Sequence, residues 1–319
     1  MIAMKSVVVK QAGGPEVLEF EERPIPTSTQ NQTVIKIHAF PVHRYEVLTR
    51  EGGSPSVKFP RVIGVEAVGE VYHPSKTSQL TAGQKVITFM GGLGREFDGS
   101  YQEYALVPDS IIYPITYNGT WTELASYPET FYTAFGALKA TRLQKGQSLL
   151  VRGGTTGVGM AALVLGKALG LRVATTTRQS DREPVLSNLG ADEVILDHND
   201  QLQTSSKYDG VIDMVGVPVV VDSLSHLKNG GTYTLVGMVT GQWVWKDFDP
   251  FTNLSNKYAT VYDSSQVDGH MVQKMFGLIN QNHLEIPISK VFKLNDIQEA
   301  HRYVMKKDRP VGQVIVSND

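Results

Sequence analysis

Between residues 149 and 170 the chain reads LLVRGGTTGVGMAALVLGKALG, an apolar run that is interrupted by glycine and threonine and then resumes at helical spacing. The loop Gly153, Gly154, Thr155, Thr156, Gly157, Val158, Gly159 is therefore expected at a strand-to-helix turn. At such a turn, free backbone N–H groups and the positive end of a helix dipole meet an anion such as a pyrophosphate. Two registers of the dinucleotide fingerprint fit. Gly157-x-Gly159-x-x-Ala162 matches literally, while Gly154-x-Thr156-x-x-Gly159 follows the strand boundary but lacks the middle glycine. A bare turn would also select glycine, yet here the preceding strand, the following helix and the next strand are all present.

In a dinucleotide fold the second strand ends, about 20 residues after the glycines, at a group that reads the ribose. An acid there would bind the 2′-hydroxyl and favour NAD. This chain instead reads VATTTRQSDR, which puts Thr177, Arg178 and Arg182 at that place. A guanidinium takes a phosphate bidentately, so the expected cofactor is NADPH. The alternative is that both arginines are solvated loop charges, with Asp181 between them. Two later strand ends, Val215-Gly216 and Gly237-Met238, are further candidates, because glycine lets backbone approach the ribose and nicotinamide. A simple turn would choose glycine there too.

These residues need a scaffold. The first third of the chain carries short β-branched runs (SVVVK, TVIKIHAF, RVIGVEAVGEVY, QKVITFM, YQEYALV) punctuated by glycine and proline, the pattern of a β-rich unit. From LASYPETFYTAFGALKAT onward, helical spacing alternates with short buried strands: SLLVRG, LRVATTT, DEVILD, GVIDMVG and TYTLVGM, with NKYATVY a possible last strand. That alternation predicts a doubly wound parallel sheet, since parallel strands need long crossovers that cover it. After the helical HMVQKMFGLINQNHL, the tail ends in EAHRYVMKK and the strand VGQVIV, which needs a sheet to join and is expected to return to the β-rich unit. The expected organisation is 1–124 and 265–319 for the β-rich unit and 125–264 for the parallel one.

Composition narrows the function. With 319 residues, 19% charged, and a formal net charge of -2, nothing favours nucleic acid or an acidic membrane surface as partner, and small near-neutral molecules fit better. No run approaches the roughly 20 apolar residues of a membrane span, and MIAMKSVVVK has the alternation of a strand, so a cytoplasmic location is the default expectation. The absence of cysteine removes thiolate nucleophiles and every Cys-based metal site; the 8 histidines form no metal-binding pair, and no metal is expected.

The chain, from GGPEVLEFEERPIP to VGQVIV, resembles the medium-chain dehydrogenase/reductase superfamily and within it the zinc-independent quinone oxidoreductase branch. FPRVIGVEAVGEV, GSYQEYALVP, KGQSLLVRGGTTGVGMAA, LGADEVI, GGTYTLVGM and EAHRYV carry the likeness in order. The resemblance implies an α/β fold in which a GroES-like β-rich substrate domain is built from both chain ends around a Rossmann cofactor-binding domain, with the active site in a cleft between them. It implies a homodimer, and a cofactor resting on Thr133 (of YTAF), the glycine loop, Arg178, Arg182, Gly216 and Gly237. Zinc-dependent relatives would place histidine between Gly64 and Glu66, where this chain has Val65. Hydride transfer without a Lewis acid suits an acceptor that is already electrophilic, so the expected reaction is NADPH-dependent reduction of quinones or α,β-unsaturated carbonyl compounds.

The segment AFPVHRYEVLTREGG departs from that branch: His43 stands for asparagine, Glu46 for aspartate and Leu48 for tyrosine, and a tyrosine after Gly52 is missing. His43 or Tyr45 could substitute as proton donor to a developing oxyanion, or both could be packing residues with water supplying the proton. Gln313 replaces a lysine, and Phe40, Phe89, Tyr101, Tyr132 and Phe251 could line an apolar pocket or simply be core. The altered segment also keeps open a second class of function, an NADPH-binding redox sensor or structural protein with little catalysis.

Overall fold

The computed structural model describes residues 3–242, 244–246 and 248–319. The chain divides into two compact units, one of residues 1–129, 265–276 and 287–319 and the other of residues 130–264 and 277–286. The first break falls later than residue 124, where the residue pattern changes. Residues up to 129 are tied into the first unit: the Glu129 N–H donates to Glu66 Oε2 (3.0 Å), and Tyr127 meets Phe276 edge-on. Residues 277–286 group with the second unit rather than with the returning tail; a helix runs through position 277, so no change in residue pattern marks that break.

In the first unit β1 (Ala3–Val9) and β2 (Leu18–Pro24) form an antiparallel ribbon. β3 (Gln32–Pro41) leads into α1 (Arg44–Arg50), followed by β4 (Glu66–His73), β5 (Lys85–Phe89), β6 (Tyr104–Pro108), β7 (Ile112–Pro114) and the short α2 (Trp121–Leu124). β3 is the hub, paired antiparallel with both β4 and β6. The run RVIGVEAVGEVY becomes strand only from Glu66. Gly64 turns the chain at φ 101° before it pairs, and only glycine fits there, since a Cβ would lie 2.2 Å from Ser100 Oγ and 2.7 Å from Tyr101 Cδ1.

The second unit takes up the chain within α3 (Pro128–Thr141) and continues through β8 (Ser148–Arg152), α4 (Gly157–Ala168), β9 (Arg172–Thr177), α5 (Glu183–Asn188), β10 (Glu193–His198), β11 (Gln201–Leu202), β12 (Tyr208–Asp213), α6 (Val220–Ser225), β13 (Leu227–Leu235), α7 (Pro250–Asn253) and β14 (Tyr258–Val261). The sheet order is β11-β10-β9-β8-β12-β13-β14, parallel throughout except for the β10–β11 hairpin. β8 is buried along its whole length, as a central parallel strand must be when both faces are covered. From β8 the chain winds outward through β9 and β10, then returns to place β12 on β8's other side. The sheet therefore has its switch point between β8 and β12, where a doubly wound sheet opens a crevice at its carboxyl ends.

The chain then forms α8 (Gly269–Asn282), β15 (Ile288–Lys293), α9 (Ile297–Val304) and β16 (Gln313–Ser317). β16 pairs parallel with β15 and antiparallel with β3, Val316 opposite Phe40, so the last strand completes the first unit's sheet. Val8, Ile35, Phe40, Tyr101, Ile297 and Val316 share one core there; Leu150, Ala174, Val211 and Tyr233 belong to a core in the second unit. Each fully buried aliphatic side chain of this kind contributes about 1.5–3 kcal/mol. Among the described residues no helix is long and apolar enough to cross a membrane.

Candidate functional site

In the first unit the end of β3 delivers His43 in extended conformation (φ -110°, ψ 170°) as the N-cap of α1. Glu46, three residues on, reaches back so that its Oε2 accepts the His43 N–H at 2.8 Å, which is the acidic half of a capping box. This local device sets His43 and Tyr45 side by side, ring centroids 4.9 Å apart. Facing them, Glu66 opens β4 with its side chain 1% exposed. Glu66 Oε1 accepts the Tyr45 hydroxyl at 3.0 Å and lies 3.0 Å from His43 Nε2, while Oε2 takes the Glu129 N–H.

The electrostatics of this cluster favour a charged imidazole. Burial acts to lower His43, but the hydrogen bond to Glu66 and the charges of Glu66, Glu46 and Glu129 outweigh it and raise His43 to about 9. Burial raises Glu46 to about 8, against the opposing pull of His43. Tyr45 is held well above the ordinary phenol value by burial and the surrounding carboxylates, so it stays a donor. A second buried chain braces α1: Arg50 Nη1 lies 3.2 Å from His301 Nδ1, and His301 Nε2 2.8 Å from Tyr101 Oη. Burial and the Arg50 charge depress His301 to about 3. It is therefore neutral, its Nδ1 accepts from the guanidinium, and its Nε2 donates to Tyr101.

His43, Glu66 and Glu129 offer ligand atoms within 4.8 Å of one another, a nitrogen and carboxylate set that could hold a divalent cation such as zinc. In this structure the His43–Glu66 contact has the length of a hydrogen bond. Sequence reading singles out His43 and Tyr45 but not Glu66 and Glu129, which lie 21 to 86 positions further along the chain; the glutamate in RVIGVEAVGEVY is the available signal for the first.

In the second unit the chain turns directly after β8. Thr156 is the N-cap of α4; its Oγ1 accepts the Gly159 N–H (3.0 Å) and donates to the Gly153 carbonyl (2.9 Å). The strand therefore turns at Gly153, and the glycine pattern follows Gly154-x-Thr156-x-x-Gly159. A Cβ on Gly154 would lie 2.0 Å from Thr175 Oγ1, and one on Gly159 2.3 Å from the Gly153 oxygen, so both are places of close backbone approach. Gly157 and Val158 open the first turn of α4, where helix geometry leaves N–H donors without intrahelical partners, and Thr155 lies in the turn just before the N-cap. This fits a diphosphate.

Three of the other candidate groups follow the carboxyl ends of strands of the same sheet, namely β9, β12 and β13. Thr177, at the end of β9, uses its hydroxyl locally, donating to the Gln179 carbonyl and accepting the Gln179 N–H, which shapes the turn that carries exposed Arg178 and half-buried Arg182. Val215-Gly216 follows β12, beside the switch point. A Cβ on Gly216 would lie 3.1 Å from Met238 Cα, which brings the Gly237-Met238 loop against it. Thr133 lies buried in α3. Of the aromatic candidates, Phe40, Phe89, Tyr101 and Tyr132 are buried side chains, Phe40 stacking on Tyr101, whereas Phe251 is 91% exposed. Gln313 is buried in β16.

Two family models match, one described as an alcohol dehydrogenase GroES-like domain over residues 29–117 and one as a zinc-binding dehydrogenase over residues 189–316. Human quinone oxidoreductase is 30% identical over 251 residues, 73% of either chain. An acryloyl-coenzyme A reductase of Metallosphaera sedula is 26% identical, covering 74% of this chain and 77% of its own. Among solved structures, the quinone oxidoreductase from Coxiella burnetii superposes with a TM-score of 0.86 at 25% identity, covering 100% of both chains.

Proposed function

The chain belongs to the quinone oxidoreductase branch of the medium-chain dehydrogenase/reductase superfamily, and from that premise we propose that it reduces quinones or α,β-unsaturated carbonyl compounds with NADPH by metal-free hydride transfer. The observation that carries this reading is the backbone cradle of residues 153–159 at the sheet's switch point. The relatives named for quinone and acryloyl-coenzyme A reduction support the acceptor class.

A bound NADPH supplies a hydride equivalent, that is, two electrons and a hydrogen nucleus. Residues 154–158 bind its diphosphate, Arg178 and Arg182 its 2′-phosphate, and Thr133, Val215, Gly216, Gly237 and Met238 its nicotinamide half. His43, held charged by Glu66, delivers the balancing proton from Nε2 or Nδ1 to the oxyanion of the reduced acceptor and leaves as neutral imidazole. Tyr45, bonded to the same carboxylate oxygen, is the second candidate donor. Val65 and the absence of cysteine leave the usual zinc ligand positions without a donor, which supports the metal-free reading.

The test is NADPH oxidation by the purified protein with a panel of quinones, enones and enoyl thioesters, before and after chelation. Absence of turnover across the panel, or turnover lost on chelation and restored by zinc, would reject the proposal. Tight NADPH binding without turnover would favour the sensor reading. Arg178→Ala is expected to raise the KM for NADPH by about tenfold while leaving that for NADH unchanged, since the guanidinium has only the 2′-phosphate to bind. An equal effect on both cofactors would return Arg178 to the solvated loop.

We also place a homodimer contact on β14, the edge strand of the second unit's sheet. All four of its residues are exposed, Val261 at 68%, and an uncovered apolar edge strand is a template for pairing with another chain. Val261→Lys should convert a dimer to monomer in light scattering; an unchanged mass would remove that surface from consideration.

A further inference from the structure

The second unit contains a buried polar chain that the proposed reaction does not use. Arg152, the last residue of β8 and the one before Gly153, has no exposed surface. Its Nε donates to Asp197 Oδ2 (2.9 Å) and its Nη2 to the Asp200 carbonyl (2.9 Å). Its Nη1 donates to Asp222 Oδ2 (2.6 Å), the Val219 carbonyl (3.0 Å) and Ser223 Oγ (3.0 Å). A serine oxygen that accepts from a guanidinium must send its own hydrogen elsewhere, and here it goes to Asp213 Oδ2 at 2.8 Å. Asp213 closes β12, is also without exposed surface, and accepts the Tyr233 hydroxyl on the same oxygen (3.2 Å). Its other oxygen accepts the N–H groups of Val215 (2.7 Å) and Gly216 (3.1 Å).

The chain has only one possible polarity. A guanidinium can only donate and a carboxylate can only accept, so Ser223 is the single member able to pass a hydrogen bond from one to the other. Its two ends are the two loops that flank the switch point: Arg152 precedes the glycine turn, and Asp213 holds the turn at residues 214–216. A backbone bond from Met214 N–H to the Arg152 carbonyl (3.1 Å) runs beside it. An apolar cluster of the same volume would hold the sheet together as well as a buried ion network does. What the polar chain adds is direction, because it aims two peptide N–H groups inward onto Asp213 and so fixes how the rest of that turn presents itself.

We propose that Ser223 is a positioning residue for the dinucleotide: through Asp213 it locks the Val215-Gly216 turn to the glycine turn, so that the nicotinamide half is received in a shape set by the diphosphate half. This rests on the dinucleotide reading above. The experiment compares NADPH with adenosine 2′,5′-bisphosphate, which carries the adenine half only, by calorimetric titration of wild type, Ser223→Ala and Ser223→Thr.

The alanine variant should lose about tenfold or more in NADPH affinity while binding the half-ligand like wild type, and threonine, which keeps the hydroxyl, should restore NADPH affinity. Equal weakening of both ligands would mark general loosening of the sheet and overturn the proposal, as would an alanine variant that binds NADPH unchanged. If the alanine variant does not fold, Asp213→Asn replaces it, with the same expectation and the same overturning results. Wild-type protein that takes up neither ligand would overturn the dinucleotide reading and the coupling with it, whereas uptake of both with no selective loss would sink the coupling alone.

Discussion

Alanine at position 159 is expected to weaken NADPH binding by at least about 100-fold, equivalent to roughly 2.8 kcal/mol. The methyl carbon would stand 2.3 Å from the Gly153 carbonyl oxygen, 3.0 Å from its carbon and 2.9 Å from Thr156 Oγ1. None of these can step aside cheaply. The Gly153 oxygen is held by both the N–H and the hydroxyl of Thr156, and Gly153 itself is committed to φ 90°. Room for the methyl comes only if the start of α4 swings away from the end of β8, which breaks the bond from the Gly159 N–H to Thr156 Oγ1 and opens the cradle. Loss of such a cap costs about 1 kcal/mol in stability, so the variant should still fold. Gly166→Ala is the control. Its Cβ would meet Val173 Cγ2 at 3.0 Å and Leu149 Cδ2 at 3.3 Å, side-chain atoms that can shift, and NADPH affinity should stay near wild type. Fluorescence titration of both variants decides: similar affinities would mean that residues 153–159 are not the cradle.

Glu66→Gln should lower kcat with a quinone acceptor by about 10²–10³-fold near neutral pH, within the roughly 10²–10⁴-fold that a general acid supplies. The glutamine keeps the shape but removes the charge that keeps His43 protonated; burial, the largest influence on this imidazole, is then opposed only by Glu46 and Glu129. The sign follows from linkage. His43 is raised from an ordinary 6.5 to about 9, so an activity that needs the imidazolium is level below about pH 8 and falls as pH rises through about 9. The stability contributed by the His43–Glu66 pair is complete below about pH 6.5 and is lost progressively as pH rises from there through about 9.

In Glu66→Gln the falling limb should move down toward or below neutrality, and the His43 C2 proton should titrate with it in NMR spectra. Glu46, raised to about 8, titrates nearby, and Glu46→Gln separates its contribution. Tyr45→Phe removes one bond to Glu66 and should leave the limb in place; a collapse of activity in that variant with an unmoved His43 titration would transfer the donor role to the phenol.

The features legible in the linear chain are those whose partners lie within one supersecondary unit. Strand β8, the glycine turn and helix α4 occupy 148–168 without interruption, so hydrophobic period and glycine spacing together pointed to a nucleotide turn. Choosing between the two glycine registers was different. Both satisfy the spacing, and only the cap of Thr156 on Gly159 and the closeness of Gly154 to Thr175 distinguish them. Where RVIGVEAVGEVY becomes strand is hidden for a related reason, since the neighbours that a Cβ at Gly64 would strike, Ser100 and Tyr101, lie far along the chain. The same holds for the aromatic candidates: residue type marks them as apolar, but which pack in a core and which stand in solvent is a property of the assembled sheets.

By itself the sequence determined the class of the protein: a β-rich unit, a doubly wound parallel unit, a glycine-rich turn between strand and helix in the latter, and no cysteine with which to build the usual zinc sites. Only the tertiary structure decided what surrounds His43 and Tyr45, and what joins the two turns at the switch point. Glu66 reaches them because β4 pairs beside β3, and Arg152 meets Ser223 because β12 returns to lie against β8. Periodicity records which face of an element is buried, whereas the neighbour buried against it is set by strand order, a long-range property that no local spacing of residues encodes.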